Sequence, residues 1–303
     1  MNTIENFRAF LAVVEAGSFS AAALRLNISA SMVTKRVGAV EHEIGQLVFF
    51  RSTRKLELTA VGREAVSLAR DFLTAYERMV NVGGGEGQEL VGSLKVKAPI
   101  SFTTHFLGEV VNGFSLKHPK VNLDLQLMNR PVNPLTENFD MVITGLPESF
   151  DGVDEMPIYP YRRVVCAAPA YLAEMGEPGH PSDLQNHRCL LLSYVAPERV
   201  WTFKNANVGN INVAVNGPFH TNDHEAMHAA AVSGRGIAVL PRYLAQDSLA
   251  KGYLVEILRA YALPDTWIKV LRPAHHNNSV LLSRLTEHLV SNVDHIREQH
   301  PAL

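Results

Sequence analysis

The sequence predicts an α/β protein in three parts: a small helical head closed by a hairpin, one long connector helix, and a two-part α/β body. Three observations predict it. Between Ser18 and Gly45, the stretch "SFSAAALRLNISASMVTKRVGAVEHEIG" holds two short helical patterns with only a few residues between them. A glycine cluster, Gly83 to Gly87, breaks the chain after a long periodic stretch. Beyond it, β-prone runs alternate with helical ones to the end.

The head begins with a helix from about Thr3 to Ala16, in which Ile4, Phe7, Leu11 and Val14 recur at helical spacing. Asn2 with Glu5 makes a capping pair, and Gly17 is a natural stop. Ser20 can cap a second helix, Ala21 to Leu26, whose alanines let another helix approach closely. Asn27 suits a left-handed turn, and Ser29 or Ser31 can cap the third helix. There Val33, Val37, Val40 and Ile44 form one apolar stripe. The stripe leaves Ala30, Ser31, Thr34, Lys35 and Gly38 on the opposite side. Short polar side chains on the free face of such a helix are what the major groove accepts. Next, "LVFFRSTRKLELT" places two β-prone pieces around Arg51-Ser52-Thr53-Arg54-Lys55, a basic wing suited to phosphates or the minor groove. Any three-helix bundle shows similar spacing, so the wing is what favours DNA. The candidate DNA-contacting set is Ala30, Ser31, Thr34, Lys35, Arg36, Arg51, Arg54 and Lys55.

Thr59 can cap the connector helix, which runs to about Val82. Val61, Ala65, Leu68, Phe72, Tyr76 and Met79 lie at near-heptad spacing, which favours pairing with another helix. The competing reading is a helix packed on its own body. Val61, Leu68, Phe72, Tyr76 and Met79 are the candidate dimerisation residues.

The body starts with a strand at 94–100, a helix from Thr103 to Lys117, and strands at 121–128 and 139–145. After "YPYRRVVCAAP" a second region carries strands at 188–194, 200–205 and 211–219, a helix from Asp223 to Ser233, and "GIAVLP". A strand at 265–273 and a helix from Ser279 to Gln299 close the chain. This predicts two α/β subdomains with a cleft between them.

Composition agrees with this plan. A chain of 303 residues accommodates two or three domains, and 47% hydrophobic with 19% charged residues describes a globular protein. The net charge of −2 conceals an asymmetry, because residues 1–60 carry seven basic and five acidic side chains. Cys166 and Cys189 offer no disulfide framework or paired-cysteine metal site and read as small core residues. The opening "MNTIENFRAFLAVVEAG" has no basic n-region, and no run reaches the roughly 18–20 apolar residues of a membrane span. A reduced, cytoplasmic location is expected.

"HEAMH", His224 to His228, matches the H-E-x-x-H zinc pattern, with both histidines on one helix face. The alternative function is therefore a zinc-dependent hydrolase or a metal sensor. A third ligand is needed, and the metzincin extension fails at Ala231 and Gly234. Glu256 is the remaining candidate, on a strand. His275-His276 are adjacent and point apart. The chain has no P-loop and no dinucleotide-binding glycine fingerprint. No metal or cofactor is expected.

"FLAVVEAGSFSAAALRLNIS", "VGAVEHEIGQLVFFRSTRKLELTAVGRE" and "NDHEAMHAAAVSGRGIAVLPRYL", in this order, resemble the LysR-type transcriptional regulators over essentially the whole chain. The resemblance implies a winged helix-turn-helix at 1–59, a linker and dimerisation helix with hinge at 60–87, and an effector-binding domain at 88–303. The last is similar to type 2 periplasmic binding proteins, with one subdomain at about 88–162 and 267–303 and another at about 163–266. It also implies double-stranded promoter DNA, a dimer or dimer of dimers (a homotetramer), a small-molecule effector and RNA polymerase as partners, and no membrane. Ala30, Ser31, Thr34 and Lys35 fall on the family's base-reading positions and Arg54 on its wing arginine. The family often has Gln and Arg where Ala30 and Lys35 stand, which changes what those positions can read. Its cleft corresponds to Ile100, Ser101, Phe102, Thr103, Asn129, Arg130, Thr144, Thr221 and Asn222. Two helix N-termini, after "PISFT" and after "HTND", and the Arg130 guanidinium suit a small organic acid there. Arg130 has two alternative readings, a surface charge or an interface contact, and the Asp223 carboxylate argues against an acid unless it serves only as the cap.

Overall fold

The structure is a computed structural model describing residues 3–50, 56–81, 89–160, 162–193, 199–205, 209–274 and 279–299, with no side-chain description at 74, 77, 78, 80, 81 and 293–299. The chain forms two compact units, Met1–Gln88 and, apart from Asn278–Val280, Glu89–Leu303. The wing residues Arg51, Arg54 and Lys55, the Gly83–Gly87 hinge and His275-His276 lie outside the described residues, as does Asn2.

In the first unit α1 (Thr3–Ala16), α2 (Phe19–Leu26) and α3 (Ala30–Ile44) pack into a three-helix head, followed by α4 (Ala60–Asn81). The buried face of α1 centres on Phe10 and Val13, both fully buried, with the expected Phe7, Leu11 and Val14 around them. Ser18, not Ser20, caps α2, its hydroxyl accepting the Ala21 N–H at 3.1 Å. The cap sits two residues earlier because Phe19 enters the helix and packs edge-on against Phe49, with ring centroids 5.8 Å apart. Asn27 ends α2 in the left-handed conformation at φ 52°. Ser29 caps α3 by accepting the Met32 N–H at 3.2 Å. Val33, Val37 and Val40 of α3 are buried against the head, as their spacing predicts.

The base of the hairpin is in place: Phe49 and Leu58 form an antiparallel bridge, and the Phe50 N–H donates to Glu57 at 2.9 Å. Thr59 caps α4, accepting the Gly62 N–H at 2.9 Å and donating to the Leu47 carbonyl at 2.8 Å. One face of α4, with Ala65, Val66 and Ala69, is buried in the head. Leu68, Phe72 and Met79 stay on the outside, 60%, 42% and 66% exposed. One face of α4 thus packs on its own head, and a second apolar face is left uncovered.

The second unit opens with β1 (Gly92–Ala98), a helical run of α5 (Ile100–Phe102), a π-helical turn (Thr103–Leu107) and α6 (Gly108–Lys117), then β2 (Val121–Leu127) and β3 (Met141–Thr144). It continues with β4 (Val153–Pro160), β5 (Arg163–Ala167), α7 (Pro169–Met175), a 3-10 turn (Pro181–Asn186), β6 (Leu190–Leu192), β7 (Val200–Asn205), β8 (Gly209–Ala214) and β9 (Phe219–Thr221). Then come α8 (His224–Val232), β10 (Ala238–Pro241), α9 (Arg242–Ala250), β11 (Val255–Glu256), β12 (Trp267–Pro273) and α10 (Val280–Gln299). The larger sheet has the order β2-β1-β3-β12-β4, and β1 lies parallel to both β2 and β3. The chain leaves this sheet after β4, builds the second region around β10-β5-β11, and returns through β12, antiparallel to β3 and β4. Parallel β1 and β3 therefore end side by side, at the position where α/β sheets bind ligands.

Candidate functional site

On α3 of the first unit, Ala30, Ser31, Thr34, Lys35 and Gly38 are exposed while the valine stripe is buried. The face is thus presented by packing on its opposite side. Two hydroxyls on it already have partners: Thr34 donates to the Ala30 carbonyl at 2.9 Å, and Ser31 shares a 3.0 Å hydrogen bond with Ser29. Arg36 departs from its expected role. Its guanidinium is half-buried and pairs with Glu5 of α1 at 3.0 Å, which ties the two helices together. Glu5 also accepts from Arg8 at 3.0 Å.

In the second unit, a cavity of about 660 Å³ opens at the ends of β1 and β3 and is closed on the other side by β6, β7 and α8. That volume suits a small organic molecule. Of the expected residues, Ser101, Phe102, Asn129 and Thr144 line it; Ile100, Thr103, Arg130, Thr221 and Asn222 do not. Arg130 is diverted by a two-pronged pair with Glu137, including Nη1 to Oε1 at 2.9 Å, and by the Pro131 carbonyl. Thr103 is buried within the π-helical turn, and its hydroxyl has no partner among the described residues.

The two helix N-termini are not open anion sites either. The Ile100 N–H donates to Asn129 Oδ1 at 3.0 Å. Asp223 caps α8 by accepting from the Ala226 N–H at 3.0 Å, and its second oxygen accepts from Asn129 Nδ2 at 3.2 Å. One amide and one carboxylate therefore satisfy both helix starts and bridge the two subdomains. A second bridge joins the Ser101 and Tyr243 hydroxyls at 3.0 Å.

The sequence reading missed Lys97, Arg163, Trp201, His220 and Tyr243 and took His224 only as a candidate metal ligand; all six line the cavity. Lys97 is 1% exposed. Burial pushes its ammonium down to about 8; the Glu148 carboxylate opposes the shift and Arg130 adds to it. Burial in turn pushes Glu148 up. A signal for Lys97 did exist: in "LKVKAPI" it stands among apolar residues near the end of a strand that runs into a helix. Burial also pushes His224 down to about 4, so it is neutral at pH 7.

Among the described residues the zinc reading of "HEAMH" finds no third ligand. His228 Nε2 is 2.8 Å from the Ser248 hydroxyl, and Glu225 lies 3.6 Å from His105. Glu256 pairs with Arg242 at 3.2 Å. Cys166 and Cys189 are fully buried free thiols, and burial raises both to about 12, as inert core residues require. Among the described residues, no helix is long and apolar enough to cross a membrane.

Comparison with known proteins gives consistent matches. The LysR substrate binding domain matches residues 87–294, and the bacterial regulatory helix-turn-helix of the lysR family matches residues 4–63. The chain is 30% identical to the HTH-type transcriptional regulator YhjC of Escherichia coli (strain K12) over 276 residues, 90% of this chain and 92% of that protein. It is 27% identical to the HTH-type transcriptional activator TtdR of the same strain, covering 85% and 83%. Among solved structures, the LysR-type transcriptional regulator CrgA from Neisseria meningitidis aligns at a TM-score of 0.53 and 26% identity, covering 94% of this chain and 98% of that one.

Proposed function

The chain belongs to the LysR-type transcriptional regulators and is a DNA-binding regulator, not an enzyme, and from that premise we propose how its two units divide the task. The first unit reads DNA through α3. The observation that carries this is the exposed Ala30–Ser31–Thr34–Lys35 face opposite a buried valine stripe. Ala30 supplies only apolar contact, such as with a thymine methyl, and Lys35 a point charge without the arginine fork. The wing cations Arg51, Arg54 and Lys55 add phosphate contacts.

A footprint on the DNA upstream of the protein's own gene, at moderate salt with non-specific competitor, tests this. Half-sites about one helical turn apart, or a multiple of that, are expected. Thr34→Ala with Lys35→Ala should weaken specific protection about 10- to 100-fold while the melting temperature stays unchanged. Specific protection at wild-type strength in that variant would overturn the assignment.

We further propose that subunits pair through α4, and that pairs associate into a tetramer. The exposed Leu68, Phe72 and Met79 support the first step. Phe72 also touches Phe7 of its own subunit, with ring centroids 5.4 Å apart. Leu68→Glu with Met79→Glu is therefore the cleaner test, with monomers expected in sedimentation; unchanged assembly would exclude this face.

The second unit is proposed to bind a small organic acid in its cavity. A ligand there touches both subdomains and favours whichever arrangement it contacts better, which alone can drive a change at the DNA. Altered contact with RNA polymerase in the cytoplasm is the proposed output.

A further inference from the structure

We propose that the Lys97 ammonium is the anchor for the effector's acidic group, and that the cavity selects a monocarboxylate with a hydrophobic body. This rests on the reading of the cavity as the effector site, and it replaces Arg130 and the helix N-termini as the acid's partners.

Lys97 lies near the C-terminal end of β1, in register with Val142 of β3. It lines the cavity and is 1% exposed. Among the described residues it has no hydrogen bond and no ion pair within 4 Å. A charge withdrawn from water with no direct partner is costly, and such a group in a cleft marks a candidate functional site. The charged groups around it are Glu148, after β3, and the Arg130–Glu137 pair, after β2. Glu148 accepts the Thr144 hydroxyl at 3.3 Å, and Arg130 and Glu137 satisfy each other. None of them closes on the ammonium.

The arginines of the lining are engaged. Arg163 donates to the Pro264 carbonyl at 3.0 Å, and Arg199 to Asn216 Oδ1 at 3.1 Å. His224 is neutral at pH 7. His220 is exposed to solvent. Among the described residues Lys97 is therefore the one buried cation of the lining without a direct partner, which fits a single carboxylate. Around it stand Phe102, Leu146, Trp201, Met227 and Leu263, which suit an apolar or aromatic body. Because burial holds the ammonium near 8, an anion binding there above that pH draws a proton onto Lys97.

The test is calorimetry on the full chain with a matched panel. Phenyl, phenylethyl, cyclohexyl and hexyl bodies are each offered as carboxylate, amide and amine. At pH 7 at least one carboxylate should bind, with its amide and amine at least 30-fold weaker. Lys97→Met should lower that affinity about 100-fold and Lys97→Arg by less than about 10-fold. At pH 8.5, two buffers of different ionisation enthalpy should reveal proton uptake in the wild type and none in Lys97→Arg, whose guanidinium stays charged. Trp201→Ala reports on the cavity itself. Preferred binding of amides or amines, weakened by Trp201→Ala, would overturn the Lys97 anchor and leave the cavity as the effector site. Carboxylate binding unchanged in Lys97→Met but weakened by Trp201→Ala would do the same. Carboxylate binding indifferent to both substitutions, or no binding by any compound of the panel, would overturn the anchor and the cavity reading together.

Discussion

Gly62→Ala is expected to unfold the first unit and abolish DNA binding. Helix propensity alone predicts the opposite, because alanine in a helix is favoured over glycine by about 1 kcal/mol. Packing overrides that gain. A Cβ at Gly62 would stand 2.0 Å from the Val48 carbonyl oxygen and 2.9 Å from its carbon. That carbonyl cannot withdraw, because it accepts the Thr59 N–H at 3.0 Å. Nor can α4 slide away, since Thr59 joins its first turn to Leu47 and Val66 and Ala69 are buried in the head. The cost should exceed about 3 kcal/mol, the upper range of ordinary overpacking. Thermal unfolding by circular dichroism and a footprint check this on the full chain. Gly38→Ala is the control, because a Cβ there meets nothing within 4 Å. It should leave the head as stable or slightly more so. Equal melting of Gly62→Ala and wild type would mean that α4 and the hairpin base do not approach so closely.

This close approach shows where the sequence was legible and where it was not. The α3 stripe was legible because one helix face carries its own period, and burial of Val33, Val37 and Val40 follows from it. The caps at Ser29 and Thr59 follow from local chemistry. The cap at Ser18 depends on Phe19 meeting Phe49, thirty residues on, and local chemistry offers Ser20 equally well. In the second unit, β1, β2 and β3 could be read from their apolar runs, but β4, α7 and α9 were not distinguished. The signals for the two helices were a proline at the start of α7 and one just before α9. The cavity was legible only in part for a related reason. Ser101 and Asn129 sit beside it by sequence neighbourhood, whereas Arg130 is turned aside by Glu137, a partner no period reveals. Lys97 is a site residue because β1 is flanked by β2 and β3, which pair it with Gln126 and Val142, partners that no local period reveals.

Lys97→Met is expected to raise the stability of the second unit at pH 7 and to flatten its gain toward alkaline pH. The unfolded chain holds the lysine proton up to about 10.5, and the folded chain only to about 8. Between those values the unfolded state binds more protons, so stability rises with pH across that window. Below about 8 both states are protonated and the folded state bears the whole cost of the buried charge, on the order of 3 kcal/mol. Methionine fills similar space without the charge, so that cost disappears. Part of the gain is returned by Glu148, which loses the cation favouring its ionised form. A rise of several degrees is expected for a unit of this size, at roughly 2–4 °C per kcal/mol. Melting curves of wild type and Lys97→Met at pH 7 and pH 9.5 measure it, and the two should converge at the higher pH. A lower melting temperature at pH 7 for the methionine variant would mean that the ammonium is compensated within the protein and has no need of an external anion. A gain there, joined to lost acid binding, would identify Lys97 as a residue kept for recognition at the expense of stability.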